Sequence, residues 1–464
     1  MGSAPAIFKA NAHIAQSMEE LLSGPKIISG PPGPRSRQLM ELKDRYLAKG
    51  LYVNTPIFIR RGRGALVEDV DGNVYIDFGS GIGVLNVGHC HPEVVGEVER
   101  QSKDFLHACF HITPYEGYVK VAEKLIQMAP GSFPKKAILL NSGAEAIENS
   151  IKVALYRSKR PTLLAFENAF HGRTYLAAIL SSKVRPNKLG FGLAFDNVER
   201  FPYAYCYRCA FGQTYPDCGL RCLGYIEDSF ASRSAPEEIA AVIAEPIQGE
   251  GGIIVPPDEF IKGLRRLCDR HGILFIADEI QTGLGRTGEM FACEHYGVAP
   301  DMITVAKSLA GGLPLAAIVG REEVMDAPHI GGIGSTFGGN PVACAAALRA
   351  LEVIQGLLPN SRRIGELMAE RGQELKEECE LVGEVRGKGP MLGIELVRDL
   401  RSKEPAKEET REVIGECCKR GLIVLKAGIH DNVVRLLPPL GISEELLEEG
   451  FSILEGVLKG MRAE

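Results

Sequence analysis

No stretch of this chain approaches the roughly 20 consecutive apolar residues that a membrane-spanning helix needs. The first 22 residues mix polar and apolar side chains and lack the apolar centre of a secretory leader. Positive charge is not in excess: 53 Lys and Arg stand against 59 Asp and Glu, for a net charge of −6, and no basic run is interleaved with aromatics. Neither nucleic acid nor membrane is therefore expected as a partner, and a cytoplasmic protein is the expectation. There is no internal repeat and no low-complexity run. What is present is ordinary for a globular protein, with 24% charged residues over 464 positions. A chain of that length can bury a large core and should divide into more than one domain.

Along the chain, the Pro/Gly-rich segment 24–33 reads as an extended linker between a short helix at about 13–22 and the body. Residues 35–49 look helical, and 67–78 read as a hairpin around Asp71-Gly72. From about 115 to 320, strands alternate with helices, so a parallel or mixed sheet is expected. An Ala-rich helix after Pro341 should lead into a C-terminal α+β domain.

Lys307 ends an apolar run, Ile303-Thr-Val-Ala-Lys307, and a Gly-Gly turn follows at Gly311 and Gly312. Burial disfavours an ammonium and lowers its pKa, and a neutral amine can form a Schiff base with an aldehyde. A lone lysine here would equally suit a side chain snorkelling from a strand end. Upstream, residues 273–277 form a continuous apolar run that ends at Asp278, as in a strand buried on both faces. Ligands bind beyond the carboxyl ends of strands in open α/β sheets. A carboxylate there can keep a pyridinium nitrogen protonated. The separation of Asp278 from Lys307 is about one helix plus one strand, so both can end neighbouring strands.

The run Asp278-Glu-Ile-Gln281-Thr-Gly-Leu-Gly-Arg-Thr-Gly288 followed by Lys307 and its Gly-Gly turn resembles the class III aminotransferases. These are pyridoxal-phosphate (PLP) enzymes of the type I fold, and the resemblance extends from about residue 51 to 447. It implies an α/β architecture: a large domain with a mostly parallel seven-stranded sheet between helices, plus a smaller α+β domain. The expected boundaries are 1–80 for an N-terminal extension with the helix and hairpin of the small domain, 81–345 for the large PLP-binding domain, and 346–464 for the C-terminal small domain. It also implies that Lys307 holds PLP as a Schiff base and moves the proton, with Asp278 facing the ring nitrogen. The turn before the helix that opens at Gly143 presents free N–H groups and the positive end of a helix dipole, so Gly143 and Ala144 take the phosphate. Phe170 stacks on the ring, His171 joins the cofactor residues, and Gln281 bonds the ring 3′-oxygen. Thr336, in Gly334-Ser-Thr336-Phe-Gly-Gly-Asn-Pro341, reaches the phosphate of a neighbouring subunit, which implies a homodimer or dimer-based oligomer with shared active sites.

For the substrate, the resemblance places Glu245 near the amine and Ile82 beside the chain. Arg435, on the apolar run Val433-Val-Arg435-Leu-Leu, suits a carboxylate, because an arginine there is costly unless paired. Glu250 can pair with it and release it, and Arg173 is a second candidate for a carboxylate. Within the class the chain is most similar to 4-aminobutyrate aminotransferases, through Gly83-Val-Leu-Asn-Val-Gly-His89-Cys-His-Pro92 and the segment from Cys109 to Glu116. The implied reaction moves an ω-amino group to 2-oxoglutarate by a ping-pong cycle. Ornithine, acetylornithine or diamine transfer and amino-acid racemisation use nearly the same residues. A non-catalytic scaffold would be signalled by loss of Lys307 or Asp278, and both are present.

Of twelve cysteines, four are clustered at Cys206, Cys209, Cys218 and Cys222. They could hold a metal as four thiolates, an iron–sulfur cluster, or disulfides. Reduced thiols are an equal expectation, because the stretch between the pairs is shorter than in common zinc ribbons.

Overall fold

In the computed structural model the described residues are 24–461, so the helix expected at 13–22 lies outside them. Strands β1 (Ile59–Arg63), β2 (Leu66–Asp69) and β3 (Val74–Asp77) form an antiparallel meander. Its Asp71-Gly72 turn is fixed by Asp69, whose Oδ1 accepts from the N–H groups of Asp71 and Asn73, each at 2.9 Å. Asp71 in turn accepts from Arg35 and Ser36 at 2.7 and 2.9 Å, which satisfies the free N–H groups of the helix Pro34–Tyr46. That helix ends three residues earlier than the sequence pattern suggested, at an extended Leu47.

The large sheet contains β4 (Lys135–Leu140), β5 (Thr162–Phe166), β6 (Val198–Phe201), β7 (Ile239–Ala244), β8 (Leu274–Asp278), β9 (Met302–Val305) and β10 (Ala316–Arg321). Its order is β4-β10-β9-β8-β7-β5-β6. Only β10 runs against the rest, antiparallel to both β4 and β9. The central strands are buried on both faces. Leu163 and Ala165 pack with one helix layer, Leu164 and Phe166 with the other, and each such large side chain contributes about 1.5–3 kcal/mol. Their polar ends therefore collect along one carboxyl edge.

The C-terminal part adds β11 (Val382–Lys388), β12 (Met391–Leu396), β13 (Leu422–Ile423), β14 (Leu425–Ala427) and β15 (Val433–Leu436). The antiparallel sheet β11-β12-β15-β14 stands apart, while β13 joins the first sheet parallel to β3. The 38-residue helix Pro341–Glu378 starts at Asn340, whose side chain accepts from Val342 and Ala343. Its first half packs in the core of the large sheet and its second half, from Ile364, in the core of the C-terminal part. This helix is, by length and composition, apolar enough to cross a membrane, contrary to the reading that no stretch is. Half of its apolar window is buried in the protein, and its alanines let the helices Pro92–Asp104 and Glu116–Met128 approach closely.

Candidate active site at the carboxyl edge of the large sheet

A cavity of about 460 Å³ opens where β4, β5, β7, β8 and β9 end. Gly143 and Ala144 line it, as do Phe170, His171, Arg173, Glu245, Glu250, Asp278, Gln281 and Lys307. Ile82 and Thr336, expected at the same site, do not line it. Both are exposed, Ile82 at 47% with φ of +65°. Arg435 lies behind the wall and reaches the cavity through Glu250.

Each side chain is set by its strand end. Asp278 closes β8 and is 3% exposed. Its Oδ1 accepts from the Ile280 N–H (3.1 Å) and the Thr304 hydroxyl (3.3 Å), and its Oδ2 meets His171 Nδ1 at 2.7 Å. The second imidazole nitrogen of His171 is buried without a partner among the described residues. Lys307 follows β9 with φ of +46°, a strained conformation for a residue with a side chain that commonly marks a functional position. Burial lowers its pKa. Glu250, Asp278 and Glu245 oppose that effect and Arg435 adds to it.

Glu245 closes β7 and accepts from the N–H groups of Phe170 and Gly249, each at 2.9 Å. Burial raises its carboxyl to about 7, with His171 lowering it and Asp278 raising it. Glu250 pairs directly with Arg435, which is buried on β15. Burial alone would raise the Glu250 carboxyl, but Arg435, Lys307 and Gln281 hold it low. Arg173 is exposed at the mouth, its guanidinium 5.4 Å from the Phe170 ring centre.

At the helix Gly143–Ser158, the Ser142 side chain accepts from Glu145 and its carbonyl from Ala146. The N–H groups of Gly143 and Ala144 are left without a protein acceptor among the described residues, facing a site that suits a phosphate. The oxygen of the buried Gln281 amide is likewise unpartnered. A phosphate cradle, a fixed carboxylate, an amine, an aromatic ring and unpaired buried polar atoms in one cavity fit pyridoxal phosphate.

The sequence reading missed Asn141, Val84, Ile280 and the wall formed by Leu313, Pro314 and Leu315. The last three directly follow the Gly-Gly turn behind Lys307, which was the available signal. It also missed the contact between His171 and Asp278, for which no local pattern exists.

Cys206, Cys209, Cys218 and Cys222 line a separate small hollow. All twelve cysteines are free, and among the described residues no group of three or more His, Cys, Asp or Glu is arranged to hold a metal ion. Burial raises the Cys206 thiol, and that of Cys222 to about 11. The loop also braces the C-terminal sheet, through Tyr205 and Arg208 on Glu395.

Residues 48–458 match the family model of class-III aminotransferases. The chain is 46% identical to the 4-aminobutyrate aminotransferase of Mycobacterium leprae, covering 93% of this chain and 98% of that one. It is 42% identical to that of Escherichia coli (90% and 97% covered) and 41% to the 5-aminovalerate aminotransferase of Pseudomonas putida (90% and 97%). Among solved structures it is similar to a PLP-bound amine transaminase from an uncultivated Pseudomonas species, with TM-score 0.81 and 30% identity over 87% of this chain and 94% of that one. A Bacillus anthracis aminotransferase gives TM-score 0.85 and 29% identity over 92% and 99%.

Proposed function

The chain belongs to the class-III aminotransferases, pyridoxal-phosphate enzymes of the type I fold, and from that premise we propose that it transfers the amino group of 4-aminobutyrate to 2-oxoglutarate. The observation that carries this reading is the ion pair of cavity-lining Glu250 with Arg435 behind the wall, at a cavity where Arg173 has no carboxylate partner among the described residues. One site must take an ω-amino acid with one carboxylate and then a 2-oxo acid with two. With the pair closed, Arg435 is neutralised, and the single carboxylate of the donor goes to Arg173. With the pair open, Arg435 takes the α-carboxylate and Arg173 keeps the distal one.

In this reading Gly143 and Ala144 would hold the cofactor phosphate, Phe170 and Gln281 would hold its ring, and Asp278 would supply the negative charge that keeps the ring protonated. Bound pyridoxal phosphate supplies an aldehyde that condenses with amines and a pyridinium ring that takes up the electron pair left on the substrate carbon. Lys307 carries a proton on Nζ to and from that carbon, and burial lowers the pKa of its amine. Asp278 holds a fixed negative charge, oriented by His171 and Thr304. Glu245 borders the amine.

Thr336 and Ile82 fit a homodimer with shared sites, in which Thr336 reaches the partner's phosphate. The exposed apolar residues Leu106, Ile112, Ile330 and Phe337 support this. The free cysteines fit a reducing cytoplasm. We keep the domain boundaries at 80 and 345, the second falling inside the helix that links the two cores.

The test is an amino-donor panel with and without 2-oxoglutarate. The expected result is acceptor-dependent glutamate formation with 4-aminobutyrate preferred over 5-aminovalerate. The extra methylene is worth about 10–200-fold in a shaped pocket. A preference for 5-aminovalerate, ornithine or a diamine would overturn the substrate reading.

A further inference from the structure

The turn that carries Glu250 is held at three points. At its start the Gly249 N–H is bound to Glu245 Oε2 at 2.9 Å. In the middle the Glu250 carbonyl accepts from the Gly428 N–H at 3.0 Å. At its end a single side chain, Arg386 of β11, grips two consecutive carbonyls. Its Nε lies 3.0 Å from both Gly252 O and Ile253 O, and its Nη2 lies 2.6 Å from Gly252 O. The second gripped residue is a strained one, and the first has the positive φ that glycine permits. Gly252 has φ of +120° and Ile253, β-branched and fully buried, has φ of +54°. A β-branched residue is strained there and persists only where its surroundings over-determine it.

Arg386 is itself immobilised. Its Nη1 meets Glu395 at 2.7 Å and Glu384 at 2.6 Å, and its guanidinium lies 4.9 Å from the centre of the Tyr205 ring. Glu395 also accepts from Tyr205 and Arg208 of the cysteine-containing loop and from Asn432 at 3.3 Å. The whole cluster lies outside the cavity, yet it fixes the backbone beneath one of the cavity's two carboxylate-handling groups.

We propose that Arg386 is a positioning residue that holds the Glu250 turn and thereby keeps Glu250 seated on Arg435 when no α-carboxylate is present. The inference rests on the two-mode reading of that ion pair. With the turn clamped, the change between modes is a rotation of the Glu250 side chain on a fixed backbone. With the clamp gone, the strained turn relaxes, Glu250 leaves Arg435 more often, and the open mode gains population. The two half-reactions then separate. The ω-amino donor needs the closed mode and loses, while glutamate needs the open mode and does not.

The test follows each half-reaction of the holoenzyme by absorbance after mixing with 4-aminobutyrate alone or glutamate alone, in wild type, Arg386→Gln, Arg386→Lys and Tyr205→Phe. Arg386→Gln is expected to lower kcat/KM for 4-aminobutyrate about tenfold, the scale of one charge-assisted hydrogen bond, and for glutamate less than about twofold. Arg386→Lys should recover part of the loss. Tyr205→Phe, which keeps the ring and removes one donor to Glu395, should give a smaller split in the same direction and guards against Arg386→Gln failing to fold. Equal losses for both substrates, or none, would overturn the proposal. If wild type prefers a different ω-amino donor, the substrate reading fails, while the split between that donor and glutamate still decides the role of Arg386.

Discussion

His171 Nδ1 lies 2.7 Å from Asp278 Oδ2, with both side chains buried in the wall of the cavity. The other oxygen of Asp278 is taken by Ile280 and Thr304, so the carboxylate has no freedom to turn. A charge held this way needs no reorganisation during the reaction. Asp278→Asn should bind cofactor and lose about 10²–10³-fold in kcat, measured by steady-state kinetics on protein whose cofactor content has been quantified. His171→Ala should fall in the same direction and less. Unchanged turnover in Asp278→Asn would remove this carboxylate from the mechanism.

Glu250 and Arg435 should separate by substrate. Removing Arg435 takes away the partner of an α-carboxylate and leaves Glu250 unpaired. Arg435→Ala is expected to cost about 30-fold or more in kcat/KM for glutamate, and less for 4-aminobutyrate. Glu250→Ala should show the reverse order, because it leaves Arg435 bare where the donor has no charge to offer. Kinetics of each half-reaction read both, and parallel losses in both variants would contradict a switchable pair.

Glu245 ties stability to pH. Burial raises its carboxyl from 4.5 to about 7, so the folded protein binds this proton more tightly than the unfolded chain. Its contribution is fully present below about pH 4.5 and is lost as pH rises through about 7. Urea unfolding of the cofactor-free protein should therefore show stability falling across that window, less steeply in Glu245→Gln. Identical slopes for wild type and variant would show that Glu245 does not titrate there.

Arg286 is fully buried with no carboxylate beside it among the described residues, and burial lowers its pKa to about 9. It donates to the carbonyls of Pro390 and Pro438 at 2.9 and 2.6 Å and to Asn86 Oδ1 at 2.5 Å, tying the turn after β8 to the C-terminal part and to the segment beside Val84. Arg286→Ala leaves a void and three buried acceptors, and should destabilise the fold by about 3 kcal/mol or more in urea titration. A loss below about 1 kcal/mol would mean that water satisfies these groups.

The parts of the site that were legible in sequence are those fixed by a short neighbourhood. Asp278 and Lys307 each end an apolar run, and Gly143 opens a helix directly behind one, so local pattern alone puts all three at strand ends. Where partners are far apart in the chain, nothing local announces them: His171 meets Asp278 across 107 positions, and Arg386 meets Gly252 across 134. The antiparallel β10 was hidden for a different reason. A strand buried on both faces reads as an unbroken apolar run whichever way it points, so its insertion between β4 and β9 leaves no trace in the pattern. Ile82 and Thr336 were assigned through resemblance and sit outside the cavity of their own chain. Cys206, Cys209, Cys218 and Cys222 gather around one hollow, as their close spacing in the chain suggests.

The most direct measurement is the absorbance of the purified holoenzyme mixed with 4-aminobutyrate alone, followed by addition of 2-oxoglutarate, in wild type and Lys307→Ala. The account predicts that the donor shifts the wild-type cofactor band, that 2-oxoglutarate restores it with stoichiometric glutamate, and that Lys307→Ala completes neither change at an appreciable rate. A wild-type band that 4-aminobutyrate leaves unmoved, or a Lys307→Ala variant that turns over normally, would contradict it.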